Sequence, residues 1–124
     1  MELQLKHLVQ YLPYGLQLQF IVRGKVLQTG TMRTLTFNEH ETHPEKVSIE
    51  HSDEEHIWMF KPLLKPIDNN AEQLRIYFML MSHSRWSDII KNPLNCSYED
   101  LQWMIKNHYD VFGLIDAGLA TKIS

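Results

Sequence analysis

The apolar residues near the start of the chain change their spacing abruptly, and this change constrains the fold more than any other feature. A first set recurs at the three- and four-residue spacing that lines one face of a helix: Leu5, Leu8, Val9 and Leu12. Pro13 interrupts that pattern. A second set alternates with polar residues, as on a strand with one buried face: Leu16, Leu18, Phe20 and Val22. The sequence therefore predicts a short N-terminal helix followed by a strand.

The strand pattern continues as a hairpin. Gly24 lies where a tight reversal needs a glycine, and the return run "VLQTGTMRTLTF" is rich in threonine and β-branched residues. Gly30 within this run predicts a bulge or bend. Farther along, "HIWMFKPLLKPI" is nearly continuous in apolar residues but contains two Lys-Pro pairs, which predict a core strand that leaves the sheet as an edge. Three or four antiparallel strands are expected.

The second half of the chain carries helical signals. Residues 70–82 fit either a buried strand or a helix; we favour a helix, because Asn69 and Glu72 have capping-box spacing. A short helix is predicted before Pro93. Ser97 and Asp100 predict the start of a last helix, with this apolar stripe: Leu101, Met104, Ile105, His108, Tyr109 and Phe112. The expected fold is a single α+β domain, residues 1–124, with two to three C-terminal helices on one face of an antiparallel sheet.

Composition limits where the protein works. The chain has no run of about 18 apolar residues that would span a bilayer, and its N-terminus lacks the clean apolar segment of an export signal. The single cysteine, Cys96, has no second cysteine for an internal disulfide, as expected of a protein from a reducing compartment. These features predict a cytoplasmic protein without membrane contact. They leave its oligomeric state open.

Residues 38–56, "NEHETHPEKVSIEHSDEEH", form an acidic segment that holds seven acidic residues and one lysine, a net charge of −6. The whole chain has a net charge of −3 and a pI of about 6.1, so nucleic acid is not expected as a direct ligand. Carboxylates compete with phosphates for the basic side chains of nucleic-acid-handling proteins. The segment therefore predicts either a solvated face or a protein-binding surface, whose candidate residues are Glu39, Glu41, Glu45, Glu50, Asp53, Glu54 and Glu55.

The same segment allows a metal site as an alternative. Four of the seven histidines lie in it, and imidazole with carboxylate is a ligand set for zinc or a harder divalent ion. The spacing does not match a known metal motif, because His40 and His43 are three apart and Pro44 disfavours a helix there. The expectation is that no metal or other cofactor is bound. A metal-dependent hydrolase or nuclease using His40, His43, His51 and His56 is the alternative.

No residue is identified as catalytic. The chain lacks a nucleophile elbow, and its five glycines are scattered rather than grouped in a phosphate-binding loop. His108 lies on the apolar stripe of the last helix, which favours a structural histidine over a general base. The sequence therefore favours a protein without enzymatic activity.

Trp103 is a further candidate for a partner contact. It lies two positions from Leu101, about 200° around the helix, and so falls on a face with Glu99, Lys106 and Asp110. A large ring there either packs under another segment or is exposed, and exposed tryptophan is enriched at binding hot spots.

Three stretches resemble, in the same order, a family of small uncharacterised proteins of phages and prophages. They are "YLPYGLQLQF", "FKPLLKPI" and "HYDVFGLIDAGLATKI", which together cover about a quarter of the chain. Between the second and third stretch the chain departs from the family's sequence. The resemblance implies a phage-associated accessory protein of a bacterial host, but no known activity. Accessory proteins of this kind often act by binding a host macromolecule, so the function expected is protein binding through the acidic segment, as an inhibitor of a host nucleic-acid-handling or defence protein.

Overall fold

The computed structural model describes residues 1–82 and 84–123 and has an α+β fold. Its strands are β1 (Gln17–Val22), β2 (Lys25–Phe37), β3 (Glu45–Ile49), β4 (Glu55–His56), β5 (Phe60–Leu64) and β6 (Thr121–Lys122). Its α-helices are α1 (Leu5–Leu8), α2 (Glu72–Leu80), α3 (Trp86–Lys91) and α4 (Tyr98–Lys106), and two 3-10 helices cover Val9–Tyr14 and Ile57–Met59. The α+β class and the short N-terminal helix are confirmed.

The sheet has six strands in the order β4-β3-β2-β1-β5-β6, so the prediction of three or four was wrong. β4 and β6 have two residues each, too few to leave a period-two pattern in the sequence. The sheet is mixed, because β6 runs parallel to β5 after the chain has passed through α2, α3 and α4. That long helical return is the kind of connection a parallel pair requires. The expectation of a purely antiparallel sheet was therefore also wrong.

The N-terminal helix does not end at Pro13. Pro13 lies inside the 3-10 helix Val9–Tyr14, which ends at Tyr14 and is followed by Gly15, whose φ of 66° is left-handed. Glycine adopts this conformation without a Cβ clash, which makes it the usual residue after a helix. The chain then enters β1 directly.

The β1–β2 hairpin is confirmed, but its irregularities lie elsewhere than predicted. Arg23 and Gly24 both have positive φ, 53° and 77°, as in the type I′ turn that matches the strand twist. The register shifts at Leu27, which faces no residue of β1, and again near Arg33 opposite β3. Gly30 instead lies opposite Leu18, where an added Cβ would stand 3.4 Å from the Ile49 side chain. Gly30 is therefore in regular register with β1, and the predicted bulge does not lie at this residue.

Residues 70–82 are mainly helical, as favoured, but the proposed capping box does not form. α2 begins at Glu72 after Ala71, and no side chain among the described residues caps it. Asp68 accepts a hydrogen bond from the Asn70 backbone N–H at 2.8 Å, so an aspartate turn precedes the helix. Leu74 and Phe78 are buried by α2.

α4 begins as predicted and ends earlier. The Ser97 hydroxyl accepts a hydrogen bond from the Asp100 backbone N–H at 3.2 Å. At the other end, His108 has a φ of 65°, and the N–H groups of His108 and Tyr109 donate to Ile105 and Met104. This paired return is the Schellman arrangement, and it ends α4 at Lys106 rather than at Phe112.

Ser97→Ala is expected to lower the free energy of unfolding by about 1 kcal/mol, because the Asp100 N–H loses its cap. Urea denaturation of the wild type and the variant measures this difference. Ser87→Ala, at an exposed position inside α3, is a matched control, expected to change stability by less than about 0.5 kcal/mol.

A cluster of buried side chains joins the helices to the sheet. It includes Leu8 and Tyr11 from the N-terminal helical segment, Leu18 from β1, Leu64 from β5 and Met104 from α4. In the described part of the chain, no helix has the length and apolar character needed to cross a membrane.

Candidate protein-binding surface

The acidic segment (residues 38–56) surrounds β3 and ends in β4. β3 carries Val47 and Ile49, and both side chains are buried. The connection before β3 carries Glu39 and Glu41, and the one after it carries acidic residues of the β3–β4 turn. Five acidic side chains are exposed and two are half-buried. The exposed ones are Glu39, Glu41, Glu50, Asp53 and Glu54; the half-buried ones are Glu45 and Glu55.

Four of the seven carboxylates contact other groups of the protein, and the contact of Glu39, with His40 at 3.7 Å, is between two exposed side chains. Glu41 forms a salt bridge with Lys46 at 3.0 Å, and the hydrogen bond from Lys46 lowers the pKa of Glu41. Glu54 accepts a hydrogen bond from the Thr36 hydroxyl at 2.6 Å. Glu45 accepts one from the Leu5 backbone N–H at 3.1 Å, which ties the segment to α1. The acidic segment is therefore held in place while most of its charge faces solvent.

The structure brings together two of the four histidines. The rings of His43 and His56 lie 5.7 Å apart. His40 is exposed beside Glu39, and His51 lines a shallow depression together with Arg33. Within residues 1–82 and 84–123, no group of three or more His, Cys, Asp or Glu side chains is placed to hold a metal ion. The four-histidine arrangement of the alternative metal site is thus not assembled in the described structure.

His43 and His56 instead pack against Trp58. His56 stacks on the indole with a centroid distance of 4.3 Å and an angle of 8°, and His43 meets it edge-on at 4.7 Å. We call these three residues the aromatic cluster. Trp58 remains 56% exposed, although both histidine rings contact it. An accessible tryptophan held by two neighbouring rings loses little side-chain entropy on binding.

The aromatic cluster borders a cleft of about 460 Å³ between the N-terminus and the sheet. The apolar part of its lining includes Leu3, Ile57, Phe60 and Leu119, and the charged part is Glu2, Glu45 and Lys61. Its volume falls within the range of about 300–1,000 Å³ that is typical of ligand-binding clefts. It lies at one end of the acidic segment, so apolar and acidic surfaces meet there.

Sequence reasoning missed Trp58, because "HIWMF" reads as a continuous core strand. The 3-10 helix Ile57–Met59 rotates the chain between β4 and β5, so that Ile57 and Phe60 are buried and Trp58 points outward. One sequence signal could have indicated that Trp58 is exposed. A tryptophan two positions after a histidine, beside acidic residues, departs from the period-two alternation of a core strand.

Trp103 is half-buried. Its ring stacks on Tyr77 at 4.1 Å and 11°, and it lies 6.0 Å from Tyr109. Most of the Trp103 side chain is therefore packed against other residues rather than exposed.

His108 is also half-buried, and its Nε2 lies 2.7 Å from the Tyr14 carbonyl oxygen.

Cys96 offers no activated nucleophile. Burial raises the pKa of its thiol, and the nearby carboxylate of Asp100 raises it further. A raised pKa keeps the thiol protonated at neutral pH and therefore weakly reactive.

Comparison with known protein families, curated proteins and solved structures finds no match to this chain. The resemblance to phage and prophage proteins stays a prediction.

Proposed function

We propose that this protein acts by binding another protein through its acidic segment, with a partner that presents a basic surface. The observation that carries this proposal is the concentration of a net charge of −6 in residues 38–56, with most of the carboxylates exposed. Basic surfaces are the footprint of proteins that handle nucleic acid. The partner class is therefore a nucleic-acid-handling or defence protein of a bacterial host, and the expected effect is inhibition.

Inhibition follows from competition for the same side chains. Carboxylates that pair with the lysines and arginines of the partner deny them to phosphate groups. Contacts of this kind raise the association rate at low salt and weaken as salt screens the charges, since the Debye length is about 8 Å at physiological ionic strength.

The aromatic cluster supplies an apolar anchor for the same surface. Charge pairs at the rim of an interface contribute little affinity, whereas aromatic side chains at its centre contribute much. Trp58 is a better candidate than Trp103 for the apolar anchor, because Trp58 is 56% exposed and Trp103 is stacked between two tyrosines. A cationic partner side chain also stacks favourably on an indole face.

Capture from a bacterial lysate by the immobilised protein tests the proposal. We expect a basic, nucleic-acid-binding protein to be retained at low salt, and nucleic acid to be displaced from it by added wild-type protein. Glu39→Gln/Glu50→Gln/Asp53→Asn is expected to weaken binding at least tenfold, and Trp58→Ala by a similar factor.

The matched control is Glu72→Gln/Asp88→Asn/Asp116→Asn, which removes the same charge from exposed positions outside the acidic segment. This variant should bind like the wild type. Binding that survives loss of the acidic segment's charge, or that does not change with salt, would contradict the proposal.

A further inference from the structure

The net charge of the whole chain comes from two adjacent stretches of opposite sign. Residues 14–37, which contain the β1–β2 hairpin, carry three basic residues, Arg23, Lys25 and Arg33, and no acidic one. Residues 38–56 carry the net charge of −6, and acidic and basic residues balance in the remainder. The molecule therefore has a basic hairpin and an acidic segment, and each is complementary to the other stretch in a second copy.

The hairpin also has an open sheet edge. β2 pairs with β1 from Lys25 onward, but with β3 only from Met32 onward. Along residues 25–29, β2 has no partner strand on its second side among the residues the structure describes. Two apolar side chains on this stretch are exposed, Val26 by 51% and Leu27 by 63%. An apolar edge of this kind is a template for pairing with another strand.

The turn geometry shows which backbone groups face outward. Val22 and Lys25 close the two-residue turn and exchange hydrogen bonds, so the next pair, Ile21 and Val26, is the non-hydrogen-bonded kind. The N–H and C=O groups of Val26 therefore point away from β1, toward the open edge.

Acidic residues stand beside the base of this edge. The Gln28 side chain donates to the Glu50 carbonyl oxygen at 3.5 Å and accepts from the Ser52 hydroxyl at 2.7 Å. The 50–53 turn, with exposed Glu50 and Asp53, is thereby fixed next to Gln28. The basic tip and this acidic turn lie at opposite ends of the same open edge.

We propose that two copies of this chain form a symmetric dimer by antiparallel pairing of residues 25–29. In this arrangement the tip of each hairpin reaches the base of the other. Arg23 and Lys25 of one copy then lie beside Glu50 and Asp53 of its partner, and the reverse contact forms by symmetry. Parallel pairing would instead place the two basic tips together. Charge complementarity therefore favours a second copy of the chain as the partner of this edge, and it favours antiparallel over parallel pairing.

Light scattering coupled to gel filtration tests the dimer. At low salt we expect the wild type to reach twice the monomer mass of 14.7 kDa as its concentration rises. Arg23→Glu/Lys25→Glu should return the mass to that of the monomer. Arg75→Glu/Lys91→Glu, which makes the same charge change at exposed positions of α2 and α3, should leave the dimer intact.

Two further variants separate the dimer from misfolding. Val26→Pro removes the outward N–H without removing a hairpin hydrogen bond, so it should give a folded monomer by circular dichroism. Mixing Arg23→Glu/Lys25→Glu with Glu50→Lys/Asp53→Lys should restore a dimer of the two chains. A wild type that stays monomeric at millimolar concentration would overturn the inference, as would a dimer that persists in Val26→Pro. The dimer is argued from the open edge of β2 and does not rest on the proposed function, although both use Glu50 and Asp53. Trp58→Ala separates the two, because it should weaken partner capture and leave the dimer unchanged.

Discussion

Asp110→Ala is expected to lower the free energy of unfolding by about 2–4 kcal/mol, the largest loss we expect from one substitution that changes no apolar side chain. The buried Asp110 carboxylate accepts hydrogen bonds from the backbone N–H groups of Leu114 and Ile115 at 2.8 and 2.9 Å. Alanine leaves both donors without this partner. Urea denaturation measures the loss, and Asp116→Ala, at an exposed position in the same turn, is the control.

The Asp110 carboxyl also gives stability a specific pH dependence. Burial raises the pKa of Asp110, although the hydrogen bonds from Ile115 and Leu114 act in the opposite direction. The folded state therefore holds the proton more tightly than the unfolded chain does. Its contribution to stability is present at low pH and is lost as pH rises from about 4 through the folded pKa.

Asp110→Asn isolates this effect, since it keeps the size of the side chain but cannot ionise. We expect the stability advantage of the wild type over Asp110→Asn to shrink as pH rises through that window and to be constant above it. An advantage that grows with pH would mean that the hydrogen bonds to the carboxylate outweigh the cost of burying its charge.

Trp103→Ala is expected to lower the free energy of unfolding by about 2–3 kcal/mol and the Tm by roughly 6–12 °C. The indole stacks on Tyr77 at 4.1 Å, and Tyr77 donates a hydrogen bond to Asp100 at 2.9 Å. Removal of the ring therefore loosens the contact between α2 and α4. The expected loss is below that of a fully buried tryptophan, because Trp103 is only half-buried.

Trp103→Phe retains an aromatic ring against Tyr77, so we expect a loss of less than about 1.5 kcal/mol. Thermal unfolding of the three proteins gives the comparison. Unchanged stability in Trp103→Ala would exclude a packing role. If partner capture were lost at the same time, Trp103 rather than Trp58 would be the anchor.

Local signals in the sequence were sufficient for several elements. The helical repeat that begins at Leu5, the Gly24 turn and the Ser97 cap each depend on residues within a few positions of one another. The α+β class followed from the order of these elements. Periodicity and capping report on the backbone within one turn or one hairpin, which is why they identified these features and not their neighbours in space.

Only part of the arrangement of the acidic segment can be predicted from the sequence. Its charge, its exposure and the short strand through Val47 and Ile49 can all be read from the sequence, because each depends on composition or alternation. The contact between His43 and Trp58 cannot be read from the sequence. The pairing of β3 with β4 brings these residues together, and their spacing along the chain does not indicate it.

The sequence by itself determined the local elements and the separation of charge into a basic hairpin and an acidic segment. Only the tertiary structure decided the six-stranded order, the parallel addition of β6, the outward rotation of Trp58 and the open edge of β2. These features depend on which distant segments pair. A strand of two residues or a single 3-10 turn contributes too few residues to leave a periodic signal, so long-range packing, rather than local preference, fixes its place.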